Sequence, residues 1–202
     1  MTVVYIHGHG ASSASFNFLR LSIGGDSFAL EYDSHFGFAN NLAQMAEQLA
    51  EIDDDIFFVA HSLGGLYALH LAALLGDRVV GGVTMATPYG GSKAALLLNL
   101  VFPQQLYRDI HPTALPVIRG IGIDLGALPW TAIVSTLGNS QLIAAANDGV
   151  VTQASMRNRR GARFVDVASN HHEVTQSRHS LAVIQQAIAA INSNIKEEIH
   201  DR

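Results

Sequence analysis

A strand that runs straight into a serine and then a helix is the feature that most constrains the fold of this chain. The apolar run Ile56–Val59 is followed at once by Ala60-His61-Ser62-Leu63-Gly64-Gly65, a small-x-Ser-x-Gly pattern. The residues two before and two after Ser62 must be small if the strand and helix backbones pass close together at a tight turn. The pattern therefore predicts Ser62 in a strained turn at the N-terminus of a helix over Leu63–Leu75. Free N–H groups at that terminus can hold a negative charge.

Short apolar runs alternate with helical segments along the chain. Strands are predicted at Val3–Ile6, Phe28–Tyr32, Ile56–Ala60, Val79–Met85, Ala132–Thr136 and Phe164–Val167. Helices are predicted at Phe16–Ile23, Leu42–Ile52, Leu63–Leu75 and Leu181–Ile195, with Asn41 as the N-cap of the second and Gly76 just beyond the third. Several strands are apolar almost throughout, which is typical of a sheet buried on both faces. The alternation indicates a mostly parallel six-stranded sheet with helices on both faces, an α/β fold.

The composition limits the class of protein. The chain has 202 residues, of which 49% are hydrophobic and 14% charged, so we expect one globular domain over residues 1–202. The formal net charge is −5 and the basic residues form no patch beyond Arg157–Arg163, which argues against nucleic-acid binding. The absence of cysteine excludes disulfides, a cysteine nucleophile and cysteine-ligated metals.

A long segment between the fourth and fifth predicted strands departs from the regular alternation. We expect a cap-like apolar insertion at about 88–129, beginning with a helix over Ser92–Phe102 and then interrupted by prolines and glycines. Such an insertion either lies over the active site or packs as an ordinary excursion. Whether residues 92–126 form a mobile lid stays open.

Acidic and histidine residues follow the last two predicted strands. A serine hydroxyl becomes a nucleophile when a histidine accepts its proton, and a carboxylate must orient that histidine. Asp148 follows the penultimate strand and is our candidate acid, ahead of Asp166 and Asp124. Either His171 or His172 could be the base, and the spacing to the final helix favours His171.

The loop after the first strand reads His7-Gly8-His9-Gly10. Its glycines would let the His9 N–H approach a substrate oxygen, and the Leu63 N–H would supply the second donor of an oxyanion hole. His7 is expected to be a structural hydrogen-bonding residue beneath this loop, and His61 to support the turn at the serine. A zinc site at His7 and His9 would need a third ligand that the neighbouring sequence does not offer, so no metal or other cofactor is expected.

Two blocks of the sequence resemble the small lidless bacterial lipases of the α/β-hydrolase superfamily. They are Val3–Gly10, with Ala14–Phe18 after it, and Ala60–Gly65. The resemblance implies the α/β-hydrolase fold with a minimal six-stranded sheet, and hydrolysis of carboxylic esters without a cofactor. Carried over residue by residue, it implies Ser62 as nucleophile, Asp148 as acid, His171 as base, and His9 and Leu63 as amide donors.

We therefore expect a serine esterase or lipase that acts on a small-molecule ester, with an apolar or acyl-chain substrate. A thioesterase, amidase or lysophospholipase with the same three residues is the alternative, as is a non-catalytic binding module. The apolar Ala94–Phe102 segment could instead be a dimer or membrane-surface contact. No signal peptide or transmembrane stretch is recognisable, so a cytoplasmic location is expected, and a secreted mature form stays open. The oligomeric state is left open.

Overall fold

A computed structural model of the chain describes residues 1–92, 109–140 and 143–200, with side chains as far as residue 193. The strands are β1 (Thr2–Ile6), β2 (Ser27–Leu30), β3 (Ile56–His61), β4 (Val79–Met85), β5 (Trp130–Ser135) and β6 (Arg163–Val167). The helices in these ranges are α1 (Asn17–Ile23), α2 (Phe38–Ala50), α3 (Leu63–Leu75), α4 (Leu115–Gly122), α5 (Gln153–Met156) and α6 (Arg178–His200). Short 3₁₀ turns lie at Ser13–Phe16, Gly76–Arg78 and Glu173–Gln176.

The six strands form one sheet in the order β2-β1-β3-β4-β5-β6. Every neighbouring pair is parallel, so the predicted parallel six-stranded sheet is confirmed. Parallel strands end at the same edge, and the register keeps those ends level: Ile6 pairs with Ala60, Ala60 with Thr84, and Ser135 with Val167. The strand order reverses at β1, which opens a crevice where the loops after β1 and β3 leave the sheet in different directions.

Helices cover both faces of the sheet, as predicted. On one face, α2, α3 and α4 bury apolar side chains such as Met45, Leu66 and Val117 against the sheet. On the other face, α1 and α6 bury side chains such as Leu19 and Ile184. Both faces of the strands are therefore covered, which explains why the strand sequences are nearly continuous apolar runs.

Helix α3 is buried along most of its surface. Nine of its thirteen residues are buried, because it packs on the sheet and is itself covered by α2 and α4. This explains why its sequence lacks a polar face. The helix ends where predicted, at Leu75, and is followed by Gly76, whose φ of 56° most residues do not adopt.

The start of helix α2 differs from the predicted one. Helix α2 begins at Phe38, after Gly37, rather than at Leu42, so the prediction of Asn41 as its N-cap is wrong. Asn41 lies inside the helix, where its side-chain amide donates to the Asp33 carbonyl oxygen. The helix predicted over Ser92–Phe102 lies, apart from Ser92, outside the described residues. The rest of the expected insertion, residues 88–92 and 109–129, is described and contains α4. Within the described ranges, no helix has both the length and the apolar character needed to cross a membrane.

Candidate active site

Ser62 occupies the turn between β3 and α3 in a strained backbone conformation. Its φ and ψ are 51° and −121°, a region that residues with a Cβ rarely adopt. The turn is held from both sides, since the Ser62 N–H donates to the Met85 carbonyl at 2.8 Å and the Ser62 carbonyl accepts from Gly65 N–H at 3.0 Å. The serine side chain is thereby presented at the carboxyl edge of the sheet.

The small residues after Ser62 are required by close backbone contacts. A Cβ on Gly64 would lie 2.2 Å from the Ile6 carbonyl oxygen and 2.5 Å from that of His7. A Cβ on Gly65 would lie 1.9 Å from Thr87 Oγ1. The first turn of α3 therefore packs directly on the end of β1, which is the close approach that the small-x-Ser-x-Gly pattern predicts.

A continuous chain of hydrogen bonds joins Ser62, His171 and Asp148. The distance from Ser62 Oγ to His171 Nε2 is 3.0 Å, and that from His171 Nδ1 to Asp148 Oδ2 is 2.8 Å. Because Nδ1 faces a carboxylate, it carries the ring proton, and Nε2 is left to accept the proton of the serine hydroxyl. His172 is exposed, and its backbone N–H donates to Asn170 Oδ1, so the neighbouring histidine is the one that reaches Ser62.

The Asp148 carboxylate is buried and receives four hydrogen bonds. Oδ2 accepts from His171 and from the Ser135 hydroxyl at 2.5 Å, and Oδ1 accepts from the N–H groups of Val150 at 3.0 Å and Val151 at 2.8 Å. Burial raises the pKa of Asp148, but the bonds from His171, Ser135 and Val151 outweigh it, so the net pKa is lowered. The carboxylate is therefore held ionised, the form that orients an imidazole and stabilises its protonated state.

The loops around Asp148 are shaped by glycine. Gly149 has a φ of 101°, which permits the turn after Asp148, and a Cβ on Gly138 would lie 1.9 Å from the Asp148 carbonyl carbon. The two weaker candidate acids lie elsewhere. Asp166 pairs with Arg157 on the surface, and Asp124 accepts the Gly126 N–H.

The glycine-rich loop after β1 lies against the serine. A Cβ on Gly8 would lie 3.2 Å from Ser62 Cβ. Among the described residues, the backbone N–H groups of His9 and Leu63 donate to no protein acceptor, so both are free to bind a ligand. Burial, and then the nearby His35, lower the pKa of the half-buried His9 side chain, which favours its neutral form.

His7 supports this loop from below. Its Nδ1 lies 2.8 Å from the Gly8 carbonyl oxygen, its Nε2 lies 3.2 Å from Glu31 Oε2, and its ring stacks on Tyr32 at 4.3 Å. Glu31 in turn accepts the Ser13 N–H at 2.8 Å. His7 was predicted to be a structural hydrogen-bonding residue. The structure adds Glu31 as a partner of its ring, which the sequence did not indicate.

His61 precedes the serine and is also buried. Its Nε2–H donates to the His171 carbonyl oxygen at 2.8 Å, and the two imidazole rings lie 4.9 Å apart. Burial, followed by the nearby His171, lowers the pKa of His61 to about 3, so the ring is neutral near pH 7. The sequence indicated His61 only as a support for the turn, and Ser135 was not among the predicted site residues. The one available signal for Ser135 was its place at the end of the strand before Asp148.

The described residues contain no group of three histidine, cysteine, aspartate or glutamate side chains arranged to hold a metal ion. The polar groups gathered at the carboxyl edge of the sheet instead include a serine hydroxyl, an imidazole and a carboxylate joined by hydrogen bonds. Such an arrangement can transfer an acyl group through a covalent serine intermediate.

Comparisons with known proteins agree with this fold. A sequence model of the alpha/beta hydrolase family matches residues 3–190, whereas no protein of curated function matches the sequence significantly. The mature form of Bacillus licheniformis lipase BlEst2 is similar in structure, with a TM-score of 0.72 and 16% identity over 92% of this chain and 90% of that chain. Paleococcus ferrophilus monoacylglycerol lipase has a TM-score of 0.67 and 15% identity, over 93% of this chain and 91% of that one.

A thioesterase is also among the similar structures. The RedJ thioesterase of Streptomyces coelicolor has a TM-score of 0.59 and 16% identity, over 93% of this chain and 90% of that chain. At such identities the likeness establishes a common fold and leaves the reaction to be argued from the site. The family model, however, spans nearly the whole chain, and this chain belongs to the alpha/beta hydrolase family.

Proposed function

We propose that this protein hydrolyses carboxylic esters through an acyl-enzyme formed on Ser62. The proposal depends above all on the hydrogen-bonded chain from Ser62 through His171 to Asp148 at the carboxyl edge of the sheet. It is further supported by the lipases among the similar structures and by the strained turn that exposes the serine.

In the first half of the proposed reaction, Ser62 Oγ attacks the ester carbonyl carbon while its proton passes to His171 Nε2. The negative charge on the carbonyl oxygen is stabilised by the N–H groups of His9 and Leu63. Collapse of the tetrahedral intermediate breaks the bond to the alcohol, which leaves with the proton from His171. In the second half, His171 Nε2 takes a proton from water while the water oxygen attacks the acyl carbon. The bond between the acyl carbon and Ser62 Oγ then breaks, His171 returns the proton to Oγ, and the acid is released.

An apolar acyl group is the substrate class that we propose. Leu137 and Val150 are 55% and 42% exposed. Both belong to the loops that surround the Asp148–His171 pair, because the Leu137 N–H donates to the Ser169 carbonyl and the Val150 N–H donates to Asp148. Exposed apolar side chains beside a polar site favour a substrate with an apolar part.

Labelling with a fluorophosphonate probe tests the nucleophile and the base. We expect the wild type to be labelled, and Ser62→Ala and His171→Ala to lose labelling. His172→Ala is the matched control, because it removes the adjacent imidazole that does not contact Ser62, and it should retain labelling. Loss of labelling in His172→Ala instead of His171→Ala would contradict the assignment of the base.

A thioester is the second candidate substrate, supported by the RedJ thioesterase among the similar structures. A panel of p-nitrophenyl esters of increasing chain length, acyl thioesters and anilides would separate the activities by their kcat/KM values. If the folded wild type neither labels nor hydrolyses any member of the panel, the hydrolase proposal is wrong, and a binding role becomes the better explanation.

A further inference from the structure

The imidazole of His61 connects the turn at the serine to the loop that carries the proposed base. The Nε2–H of His61 donates to the His171 carbonyl oxygen at 2.8 Å, between residues 110 apart in sequence. The His61 side chain is buried, and only 6% of the residue is exposed. This bond is made within the protein interior, where the donor and the acceptor have no water to replace a lost partner.

The bond from His61 completes the restraint of residue 171. The His171 N–H donates to the Asp148 carbonyl at 3.0 Å, and its Nδ1–H donates to the Asp148 carboxylate. Both of these bonds tie His171 to the acid. Among the hydrogen bonds of the described residues, the one from His61 Nε2–H to the His171 carbonyl ties the His171 main chain to the segment bearing Ser62.

The His61 ring also contacts the loop after β1. A Cβ on Gly8 would lie 2.9 Å from His61 Nδ1, so the ring fills the space between this loop and the His171 loop. With its proton on Nε2, the ring presents an unprotonated Nδ1 to Gly8. The His61 side chain therefore lies between the loop after β1 and the His171 loop. The proposed mechanism needs these two loops on either side of Ser62.

We propose that His61 is a positioning residue, which sets the distance between Ser62 Oγ and His171 Nε2 by holding the main chain of His171 against the turn. This inference rests on the proposed roles of Ser62 and His171. Residues 61 and 62 are adjacent and both contact His171. The His61 ring donates to the His171 carbonyl, and the Ser62 hydroxyl bonds to the His171 ring. Movement of the base by about 1 Å can lower a rate about 100-fold, so the bond matters for turnover more than for substrate binding.

A pair of amide variants isolates the hydrogen bond. In His61→Gln, the side-chain amide nitrogen occupies roughly the place of imidazole Nε2 and can still donate to the His171 carbonyl. In His61→Asn, the side chain is shorter by one methylene and cannot reach it, although it is equally polar. His61→Leu removes the donor and retains most of the volume.

Hydrolysis of p-nitrophenyl butyrate is the activity measurement. We expect His61→Asn and His61→Leu to lower kcat about 10- to 100-fold with KM within about 2-fold of wild type, and His61→Gln to recover kcat to within about 3-fold. His70→Leu is the matched control, because the His70 ring makes the same kind of bond, from Nε2 to the Pro116 carbonyl at 2.9 Å, further along α3. It should keep the wild-type kcat.

A measurement independent of activity separates this inference from the proposed function. The Nδ1–H proton of His171, bonded to a carboxylate, should give a far-downfield proton resonance in wild type and His61→Gln. The same resonance should be broadened or lost in His61→Asn. If the wild type hydrolyses no ester, the proposed function fails, while this resonance still tests the restraint. Equal kcat and an unchanged resonance in folded His61→Asn and His61→Leu would overturn the positioning role.

Discussion

Ser62 has a φ of 51° although it carries a Cβ, and this strain has a measurable cost in stability. A residue other than glycine in such a region destabilises the folded protein by about 1–2 kcal/mol. Glycine avoids this strain, but it loses more backbone entropy on folding, so the net gain in stability is smaller. We therefore expect Ser62→Gly to be more stable than Ser62→Ala by about 1 kcal/mol, or about 2–4 °C in Tm.

Thermal unfolding of the two Ser62 variants, both without the hydroxyl, measures this difference. Ser193 provides the matched site, because it is an exposed serine within α6, where alanine should be the more stable replacement by about 1 kcal/mol. The same order of Tm at both positions would contradict strain at Ser62.

The buried neutral His61 makes stability depend on pH. Its pKa is about 3 in the folded protein, against about 6.5 for an unperturbed histidine. Between these values the unfolded chain binds one more proton at this residue than the folded protein does, so the free energy of unfolding decreases as the pH falls. In His61→Gln this contribution is absent, and the slope should be smaller by up to about 1.4 kcal/mol per pH unit.

Urea unfolding of wild type and His61→Gln between about pH 4 and about pH 6 gives the two slopes. Equal slopes would mean that His61 takes up a proton in the folded protein as readily as in the unfolded chain. That result would contradict a His61 ring that is buried in its neutral form.

At the scale of elements, the contact between α3 and β1 depends on the absence of a side chain at residue 64. A Cβ on Gly64 would lie 2.2 Å from the Ile6 carbonyl oxygen, so neither backbone can yield without moving the turn at Ser62. We expect Gly64→Ala to destabilise the fold by more than about 4 kcal/mol or to prevent folding.

Gly122 provides the matched control for this substitution. It also lies within a helix, the last turn of α4, but a Cβ there would meet nothing within 4 Å. Gly122→Ala should be neutral or stabilising by about 0.5–1 kcal/mol. Urea denaturation of both variants compares them, and a Gly64→Ala protein as stable as wild type would refute the close approach.

The elements whose signals are local were predictable from the sequence. The strands and α3 are specified by apolar runs of the right length, and the turn at Ser62 by its small neighbours. The start of α2 was not predictable in this way, because its first N–H is bound by Asp109 Oδ2 at 3.0 Å, from a residue 71 positions away. Asn41 resembled a helix cap in sequence, yet its amide is used within the fold, on the Asp33 carbonyl.

The candidate site also contains some residues that the sequence predicted and others that it did not. Ser62, Asp148 and His171 each follow a strand, so topology alone brought them to one edge. Ser135 and Glu31 were not among the predicted site residues, since the partners of their side chains depend on loop shapes that no local pattern encodes. The bond from Ser135 to Asp148, for example, spans 13 residues and requires Gly138 to lie against the Asp148 backbone.

At the scale of the whole molecule, the apolar side chains on the two faces of the sheet belong to the same six strands. We therefore expect the chain to unfold as one cooperative unit. Trp130, the only tryptophan, is buried in β5, while far-UV circular dichroism reports on the helices of both faces. The two signals should follow the same urea transition. Separate midpoints would contradict the expectation of a single domain.

The separation of Ser62 and His171 by 109 residues also affects the protein while it is being made. Translation delivers the turn at Ser62 well before Asp148 and His171, which follow it in the chain. A nascent chain stalled before residue 170 would carry the serine but no group to accept its proton, and it should not react with a fluorophosphonate. On our proposal, hydrolysis can therefore begin only after residue 171 has left the ribosome, and a shorter nascent chain would not hydrolyse the esters around it.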